Sequence, residues 1–190
     1  MNYIYLDGKV LQADQPVFMA DNKAFRYGDG LFETMKMTHS KIALQEFHFD
    51  RFFRGLQLLQ FDVPSLVTAE KLSKEILQLC DKNNCQQKAR IRVSAFRGNG
   101  GLYEGNNSLH YLIECWPLDA DQWIENGLVI GICPHARKIS DAFSNLKSAN
   151  FLSYTMAAKF AKDNQWNDCL VLNEHDRIAD ATIANVFMIK

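Results

Sequence analysis

The sequence has almost no excess of charge of either sign. Its 190 residues include 21 basic and 22 acidic side chains, which leave a formal net charge of −1. This balance excludes the basic surface that attracts nucleic acid or an anionic membrane. The longest apolar run, residues 128–133, is far too short to span a bilayer, and no secretory signal opens the sequence. We therefore expect a cytoplasmic protein with no nucleic-acid and no membrane partner.

Recognisable metal and nucleotide motifs are missing as well. The five cysteines are scattered with no CxxC pair, no HExxH segment occurs, and the histidines do not cluster. The glycine cluster from Gly98 to Gly101 has Tyr103 where a Rossmann turn needs its last glycine, and no Gly-Lys-Ser/Thr follows. The sequence thus predicts no metal site, no nucleotide loop, and reduced thiols that are at least partly buried.

What the chain does contain is the composition of an ordinary globular protein, 47% hydrophobic and 23% charged. Asp7-Gly8 between two β-prone runs predicts a hairpin, and residues 32–44 repeat that plan. Apolar residues at helical spacing then predict a helix within residues 47–61, and Thr68 is placed to cap a second one. Three strands, a third helix, and a hairpin that runs into another strand follow. This order predicts the α+β class.

The order of the elements also predicts two domains. Hairpins with two helices come first, and a mostly β segment with one helix follows. We expect an N-terminal α/β domain over residues 1–117 and a C-terminal domain from residue 118 to 190, with the boundary within residues 117–127. Because the sequence stops at Lys190, inside what reads as a core strand with an unpaired edge, we expect the second domain to be truncated.

Three stretches are not explained by core packing. In RYGDGLFET, residues 26–34, two glycines flank an acid and Glu33 follows. Arg51 stands among phenylalanines at a helix start, and Lys147 is the only charged residue from Phe143 to Leu152. Taken singly, these are a tight turn, a helix-surface arginine and a surface lysine.

Taken together, RYGDGLFE, HFDR, LKSAN and IADATIANVF resemble the class IV aminotransferase family in their order and spacing, across nearly the whole chain. The resemblance implies the fold type IV architecture, in which two α/β domains hold pyridoxal 5′-phosphate between them. It also implies a homodimer that acts on an amino acid and a 2-oxo acid.

The resemblance assigns roles to four cofactor-binding residues. It implies that Lys147 carries the cofactor as a Schiff base and is the catalytic residue. It implies that Arg51, in the motif His48-x-x-Arg51, binds the cofactor phosphate, for which a guanidinium fork is well suited. Asp180 is expected to face the pyridine nitrogen, and Asn185 is a further cofactor-binding residue. A reactive lysine must be neutral, and the uncharged segment around Lys147 is consistent with the desolvation that favours the neutral amine.

Two further residues are implied in substrate binding, and two positions depart from the family pattern. Phe32 and Arg97 are the substrate-binding residues, with Arg97 directed at the substrate carboxylate; from its sequence position alone, Arg97 is equally well a solvated charge at a strand end. The family usually has glutamate at the position of Asp180. Phe151 stands where branched-chain members usually have a tyrosine.

Three functional interpretations are left open. The first is an aminotransferase for a branched-chain or D-amino acid type substrate. The second is a 4-amino-4-deoxychorismate lyase, which releases pyruvate with the same lysine. The third is a truncated or non-catalytic family member, an interpretation kept open by the short chain and by Asp180. The resemblance specifies neither the substrate nor its handedness.

Overall fold

The computed structural model describes residues 1–118 and 124–190. The chain forms two compact units, a first unit of Met1–Ala120 with Lys147–Asn150 and a second unit of Asp121–Leu146 with Phe151–Lys190. The predicted boundary within residues 117–127 falls partly on residues 119–123, which lie outside the described residues. The division between residues 117 and 118 therefore stays a prediction.

The first unit is built on a six-stranded sheet. Its strands lie in the order β2-β1-β6-β5-β3-β4, and all neighbouring strands are antiparallel. The predicted hairpin around Asp7-Gly8 is confirmed as β1 paired with β2. The elements of this unit, in chain order, are β1 (Tyr3–Leu6), β2 (Lys9–Gln12), α1 (Lys23–Tyr27), β3 (Gly30–Thr38), β4 (Lys41–Ile42), α2 (Gln45–Leu58), α3 (Ala69–Lys82), β5 (Lys88–Phe96) and β6 (His110–Pro117).

The core of the first unit lies between this sheet and the helices α2 and α3, both of which were predicted. Alternate residues of β3 point to one face of a strand, and Leu31, Met35 and Met37 are buried there with Phe52 of α2. Each such side chain contributes about 1.5–3 kcal/mol when fully buried. The backbone N–H of Lys71 donates to the Thr68 hydroxyl at 3.2 Å, which confirms the predicted cap of α3. The same row of β3 also contains Glu33, a buried acid.

The second unit is smaller. It contains β7 (Ile130–Lys138), α4 (Leu152–Asp163), β8 (Asp168–Asn173) and β9 (Ile178–Ala181). Strands β7 and β8 are parallel, and β8 and β9 form an antiparallel pair. Parallel strands need a crossover, and α4 packs against both of them. The buried side chains are mostly small: Cys133, Ala136, Ala157, Ala161, Cys169 and Val171.

One helix was missed. The sequence predicts a tight turn within a β-prone segment at RYGDG, whereas the structure has the helix α1 ending at Tyr27. The Asn22 side chain accepts from the N–H of Ala24 at 3.0 Å and caps its start. Gly28, with φ of 65°, ends it in the left-handed conformation that glycine adopts without strain. A helix of five residues is too short to show a helical period, so its pattern could not be recognised.

The final predicted strand is wrong. The hairpin of β8 and β9 is as expected, but the strand after it is absent, since β9 ends at Ala181 and the residues beyond it have no strand conformation. Phe187, Met188 and Ile189 are more than four-fifths exposed. A strand needs a neighbour for its backbone hydrogen bonds, and no described strand pairs with residues 182–190.

Candidate active site

The segment that contains Lys147 is laid against the first residues of β3. Leu31 and Ser148 form an antiparallel bridge. The N–H of Phe32 donates to the carbonyl of Lys147 at 2.8 Å, and the N–H of Ala149 donates to the carbonyl of Gly30 at 2.8 Å. These backbone bonds fix the position from which the lysine side chain extends. That side chain is half-buried, and its Nζ lies 4.9 Å from the centre of the Phe32 ring.

The next residue of β3, Glu33, binds Arg51 of α2 through two parallel hydrogen bonds. Nε and Nη2 of Arg51 donate to Oε1 and Oε2 at 2.6 and 2.7 Å. Nδ1 of His48 lies 2.8 Å from Oε2 of the same carboxylate. Glu33 is only 1% exposed, whereas the Arg51 side chain is 50% exposed. The hydrogen bond from Arg51 to Glu33 raises the pKa of Arg51, so the guanidinium keeps its charge.

The geometry leaves Arg51 able to bind an anion. Its two bonds to Glu33 occupy two of the five N–H donors of a guanidinium, and half of the side chain remains in contact with solvent. The bidentate pairing fixes the orientation of the planar group. A fixed, partly exposed guanidinium is suited to a phosphate or carboxylate.

Lys147 and Arg51 contact neighbouring residues of β3, Phe32 and Glu33. β3 pairs with β5 along its whole length on one side. On its other side Ser148 bridges Leu31, and β4 pairs only with the last two residues of the strand. Phe32 and Glu33 are neighbours, and neighbouring side chains of a strand point to opposite faces. The Lys147 amine therefore lies by the face of β3 to which Phe32 points, and the Arg51 guanidinium lies by the face to which Glu33 points.

The RYGDG motif has a structural role in this chain. Asp29 accepts a hydrogen bond from Nη1 of Arg97. Gly30 lies so close to β5 that a Cβ atom at this position would stand 2.4 Å from the carbonyl oxygen of Ala95. The glycine therefore permits the close pairing of β3 with β5, and the acid ties the start of β3 to the end of β5.

Arg97, the predicted substrate-binding residue, is engaged by the protein. Besides Asp29, it donates to the carbonyl of Leu59 and, from Nε, to the side chain of Asn107 at 3.1 Å. Its guanidinium also covers the ring of Phe61 at 4.3 Å, and only 12% of the side chain is exposed. It is therefore not a solvated strand-end charge. A substrate carboxylate at Arg97 would have to replace one of these acceptors.

Phe32, the other predicted substrate-binding residue, is 5% exposed. Its ring lies 3.6 Å from the guanidinium carbon of Arg92 on β5, as well as beside Lys147. Burial lowers the pKa of Arg92. The ring therefore contacts two cationic side chains, Arg92 and Lys147.

Asp180 lies in the second unit, on β9. Its Oδ2 accepts hydrogen bonds from Nζ of Lys138 at 3.2 Å and from the hydroxyl of Tyr154 at 3.0 Å. The pKa of Lys138 is lowered by burial but raised more strongly by its contacts with Tyr154 and Asp180, so the net shift is upward. Lys138 and Asp180 are 30% and 33% exposed. The carboxylate is held by contacts that remain accessible to solvent.

The two remaining positions also lie in the second unit. Asn185 is exposed and follows the end of β9. The ring of Phe151 stacks on that of Tyr154, with centroids 4.5 Å apart. The structure therefore brings Phe32 beside Lys147 in the first unit, and it joins Asp180 to Phe151 through their shared neighbour Tyr154 in the second.

Sequence reasoning missed the partners of these residues. Glu33 was noticed as an acid but received no role, and Lys138 and Tyr154 were not singled out. The signal for Glu33 is its place in a row of apolar β3 residues, since a buried acid needs a charged or hydrogen-bonding partner.

Comparisons with known proteins agree with the predicted family. A model of the family described as "Amino-transferase class IV" matches residues 30–190. The aminodeoxychorismate lyase of Vibrio harveyi is 24% identical over 174 residues, which cover 89% of this chain and 62% of the relative. A putative branched-chain-amino-acid aminotransferase of Methanocaldococcus jannaschii is 24% identical, covering 98% of this chain and 65% of the relative. The chain thus spans less than two thirds of the length of these relatives.

Solved structures show the same fold. The branched-chain aminotransferase of Thermoproteus uzoniensis with norvaline superimposes with a TM-score of 0.82 at 20% identity, over 95% of this chain and 62% of that one. The putative 4-amino-4-deoxychorismate lyase of Legionella pneumophila gives a TM-score of 0.80 at 22% identity, over 94% of this chain and 65% of that one. The predicted fold class is confirmed by this likeness.

Proposed function

Because the chain belongs to the class IV aminotransferase family, whose members depend on pyridoxal 5′-phosphate, we propose that it is a pyridoxal 5′-phosphate-dependent aminotransferase. The proposed reaction transfers an amino group between an amino acid, of branched-chain or D-amino acid type, and a 2-oxo acid. The observation that carries the proposal is the guanidinium of Arg51, fixed by the buried Glu33 of β3, whose neighbour Phe32 lies against Lys147.

The described residues fit the donor set that the cofactor needs. A phosphate requires a charged donor, and Arg51 presents one on a side chain that is half exposed. A carbonyl carbon requires an amine, and Lys147 is half-buried at a fixed backbone position. When bound, the cofactor supplies an electron sink for the carbanion at the substrate α-carbon.

Each remaining role in the proposed reaction is assigned to a residue of the chain. Arg51 binds and orients the phosphate, and Glu33 holds Arg51 in place. Lys147 binds the carbonyl carbon and, once released, moves a proton at the substrate α-carbon. Asp180 is the proposed carboxylate that holds a proton at the ring nitrogen, and Asn185 is a proposed neighbour of the cofactor. Phe32 and Arg97 are proposed to border the substrate.

The test is covalent trapping. The protein is incubated with pyridoxal 5′-phosphate, reduced with borohydride, digested, and mapped by mass spectrometry. We expect the label on Lys147, its loss in Lys147→Ala, and its retention in Lys159→Ala, since Lys159 is an exposed lysine of α4. Label on a different lysine, or none, would overturn the assignment.

The lyase is the second candidate function. It is favoured by the Vibrio harveyi relative, which is an aminodeoxychorismate lyase. Phe151 counts against a branched-chain aminotransferase, because its ring stacks on Tyr154 and carries no hydroxyl for a cofactor oxygen. An aminotransferase passes through the pyridoxamine form of the cofactor, whereas the lyase completes each cycle without it.

The absorbance spectrum of the cofactor distinguishes the two reactions. The protein is mixed with a panel of L- and D-amino acids in the absence of any oxo acid. Appearance of the pyridoxamine spectrum with any of them supports the aminotransferase. No such change, together with pyruvate release from aminodeoxychorismate, would assign the lyase.

We also propose that the protein is a homodimer, since members of the family are typically oligomeric, and sedimentation velocity tests this directly. Among residues 1–118 and 124–190, no helix is long and apolar enough to cross a bilayer. The cytoplasmic location stays a prediction from the sequence.

A further inference from the structure

The first unit contains a group of side chains that the proposed function does not use. Cys80, Cys85 and Cys115 converge in its core, and their Sγ atoms all lie within 4.8 Å of one another. Cys85 Sγ and Cys115 Sγ are 3.6 Å apart. All three are buried, with exposed fractions of 0, 4 and 0%. Their scatter along the sequence predicted no metal site, but folding brings them together.

The local backbone explains why the sulfurs meet. Cys80 lies in the last turn of α3, and the N–H of Cys85 donates to the carbonyl of Cys80 at 2.8 Å as the chain leaves the helix. Asn84, with φ of 55°, makes the left-handed turn that this requires. Cys115 lies on β6, against which α3 packs. Two sulfurs from the helix end therefore face one sulfur from the sheet.

The side-chain amide of Asn83 is held in place beside the three cysteines. Nδ2 of Asn83 donates to Cys115 Sγ at 3.2 Å. The rest of that side chain is held by the backbone, because Oδ1 accepts from the N–H groups of Asn2 and Tyr3 and Nδ2 also donates to the carbonyl of Tyr3. A hydrogen bond of this kind stabilises a thiolate, and such bonds from surrounding residues tune the affinity of metal sites.

The spacing suits a single ion. With metal–sulfur bonds of about 2.3 Å, three sulfurs around one ion stand roughly 3.8–4.0 Å apart, a range that lies between the 3.6 Å from Cys85 Sγ to Cys115 Sγ and the 4.8 Å within which all three sulfurs lie. Among the described residues, no fourth histidine, cysteine or carboxylate joins the group. A structural zinc site is almost always closed by four ligands, so the group is not of that type. Three soft thiolates without an oxygen or nitrogen ligand favour a soft ion.

We propose that Cys80, Cys85 and Cys115 form a three-sulfur binding site for Cu(I). Each thiol that coordinates the ion as a thiolate releases one proton, and the copper enters and stays as Cu(I), so no oxidant or reductant is involved. The site lies wholly within the first unit and is independent of the proposed transamination.

The first experiment measures Cu(I) binding to the reduced protein without oxygen, in competition with the chromogenic chelator bicinchoninate. We expect one Cu(I) per chain and the ultraviolet thiolate-to-copper absorption. Alanine in place of Cys80, Cys85 or Cys115 should abolish both. Cys133→Ala and Cys169→Ala are the matched controls, because these two cysteines are equally buried in the second unit, and both should bind as the parent does.

A second measurement does not depend on any variant folding. X-ray absorption of the copper-loaded parent protein should show three sulfur neighbours at about 2.3 Å and no nitrogen or oxygen neighbour. The proposal is overturned if the chelator removes all copper, if the control variants lose binding to the same extent, or if Zn²⁺ is retained against a matched chelator while Cu(I) is not.

Discussion

Each unit contains an acid paired with a base, and the two pairs are built differently. Glu33 is 1% exposed and binds Arg51 through two short hydrogen bonds, with His48 against the same carboxylate. Asp180 is 33% exposed, and its Lys138 partner is 30% exposed, at a single distance of 3.2 Å. The first carboxylate lies in a row of buried apolar β3 residues, whereas the second lies at the edge of a small core.

This difference in burial means that the Glu33 carboxylate is held rigidly, whereas the Asp180 carboxylate can change its contacts. Removing a buried carboxylate from two hydrogen-bonded partners leaves them unsatisfied in a poorly solvated place. Removing a partly exposed one lets water replace it. We infer that the Arg51 guanidinium is held in position before any ligand arrives, while the Asp180 carboxylate can exchange its partners when one binds.

The largest effect is expected from Glu33→Gln. The change removes the charge that orients Arg51 and His48, and hydrogen bonds to charged groups contribute about 1.5–3 kcal/mol. The free energy of unfolding from urea titration should fall by roughly that amount. Asp50→Asn is the control, since its pair with Arg54 on the same helix is exposed on both sides and should change stability by less than about 1 kcal/mol. Equal effects of the two variants would contradict the comparison.

The second-largest loss of stability is expected from Gly30→Ala. Its Cβ would stand 2.4 Å from the Ala95 carbonyl oxygen, which is backbone in the middle of the sheet and cannot move alone. Overpacking of this kind costs about 1–3 kcal/mol. The control is Gly105→Ala, where a Cβ would have no neighbour within 4 Å. Thermal unfolding of both variants checks the result, and a Gly30→Ala protein as stable as the parent would show that the two strands can separate locally.

Gly131→Ala in the second unit should cost less than Gly30→Ala. A Cβ there would stand 2.0 Å from the ring of Trp166, which is a side chain and only half-buried. The ring can tilt toward solvent, so we expect a loss of about 1 kcal/mol, at the low end of overpacking costs. A shift in Trp fluorescence should accompany it. A larger loss than that of Gly30→Ala would mean that the second unit is the more rigid one.

The smallest effect on stability is expected from Asp180→Asn. The pair with Lys138 is partly exposed, and such pairs contribute about 0–1 kcal/mol. The variant should still bind pyridoxal 5′-phosphate, but it should remove the substrate α-proton more slowly, because a neutral amide does not hold a proton at the ring nitrogen. Stopped-flow spectroscopy measures this step, and a rate equal to that of the parent would make Asp180 a structural acid.

The sequence predicted regular elements well where the signal is local. The hairpin around Asp7-Gly8 and the capped helix after Thr68 follow from neighbours in the chain, and both are found. Helix α1 has too few residues for a period, and the strand expected at the end of the chain failed because strand formation depends on a partner that no local pattern shows.

The candidate site, too, could be predicted from the sequence only in part. Motif order pointed to Arg51 and Lys147, whose positions the fold now specifies. The pairing of Arg51 with Glu33 joins residues 18 positions apart, from a strand to a helix. The enclosure of Arg97 by Asp29, Leu59 and Asn107 likewise depends on tertiary contacts. A sequence pattern carries residue type and spacing, but not which donor already has an acceptor.

We propose that Arg51, held by Glu33, recognises the phosphate of the cofactor. The most direct test compares the affinities of pyridoxal 5′-phosphate and pyridoxal, which differ only in that group, for the parent protein and for Arg51→Gln. A charge-assisted contact of about 1.5–3 kcal/mol corresponds to roughly 10- to 150-fold. We expect the variant to lose that much of the preference for the phosphate form, with pyridoxal binding unchanged and Arg54→Gln behaving as the parent. An unaltered preference in Arg51→Gln would contradict the claim.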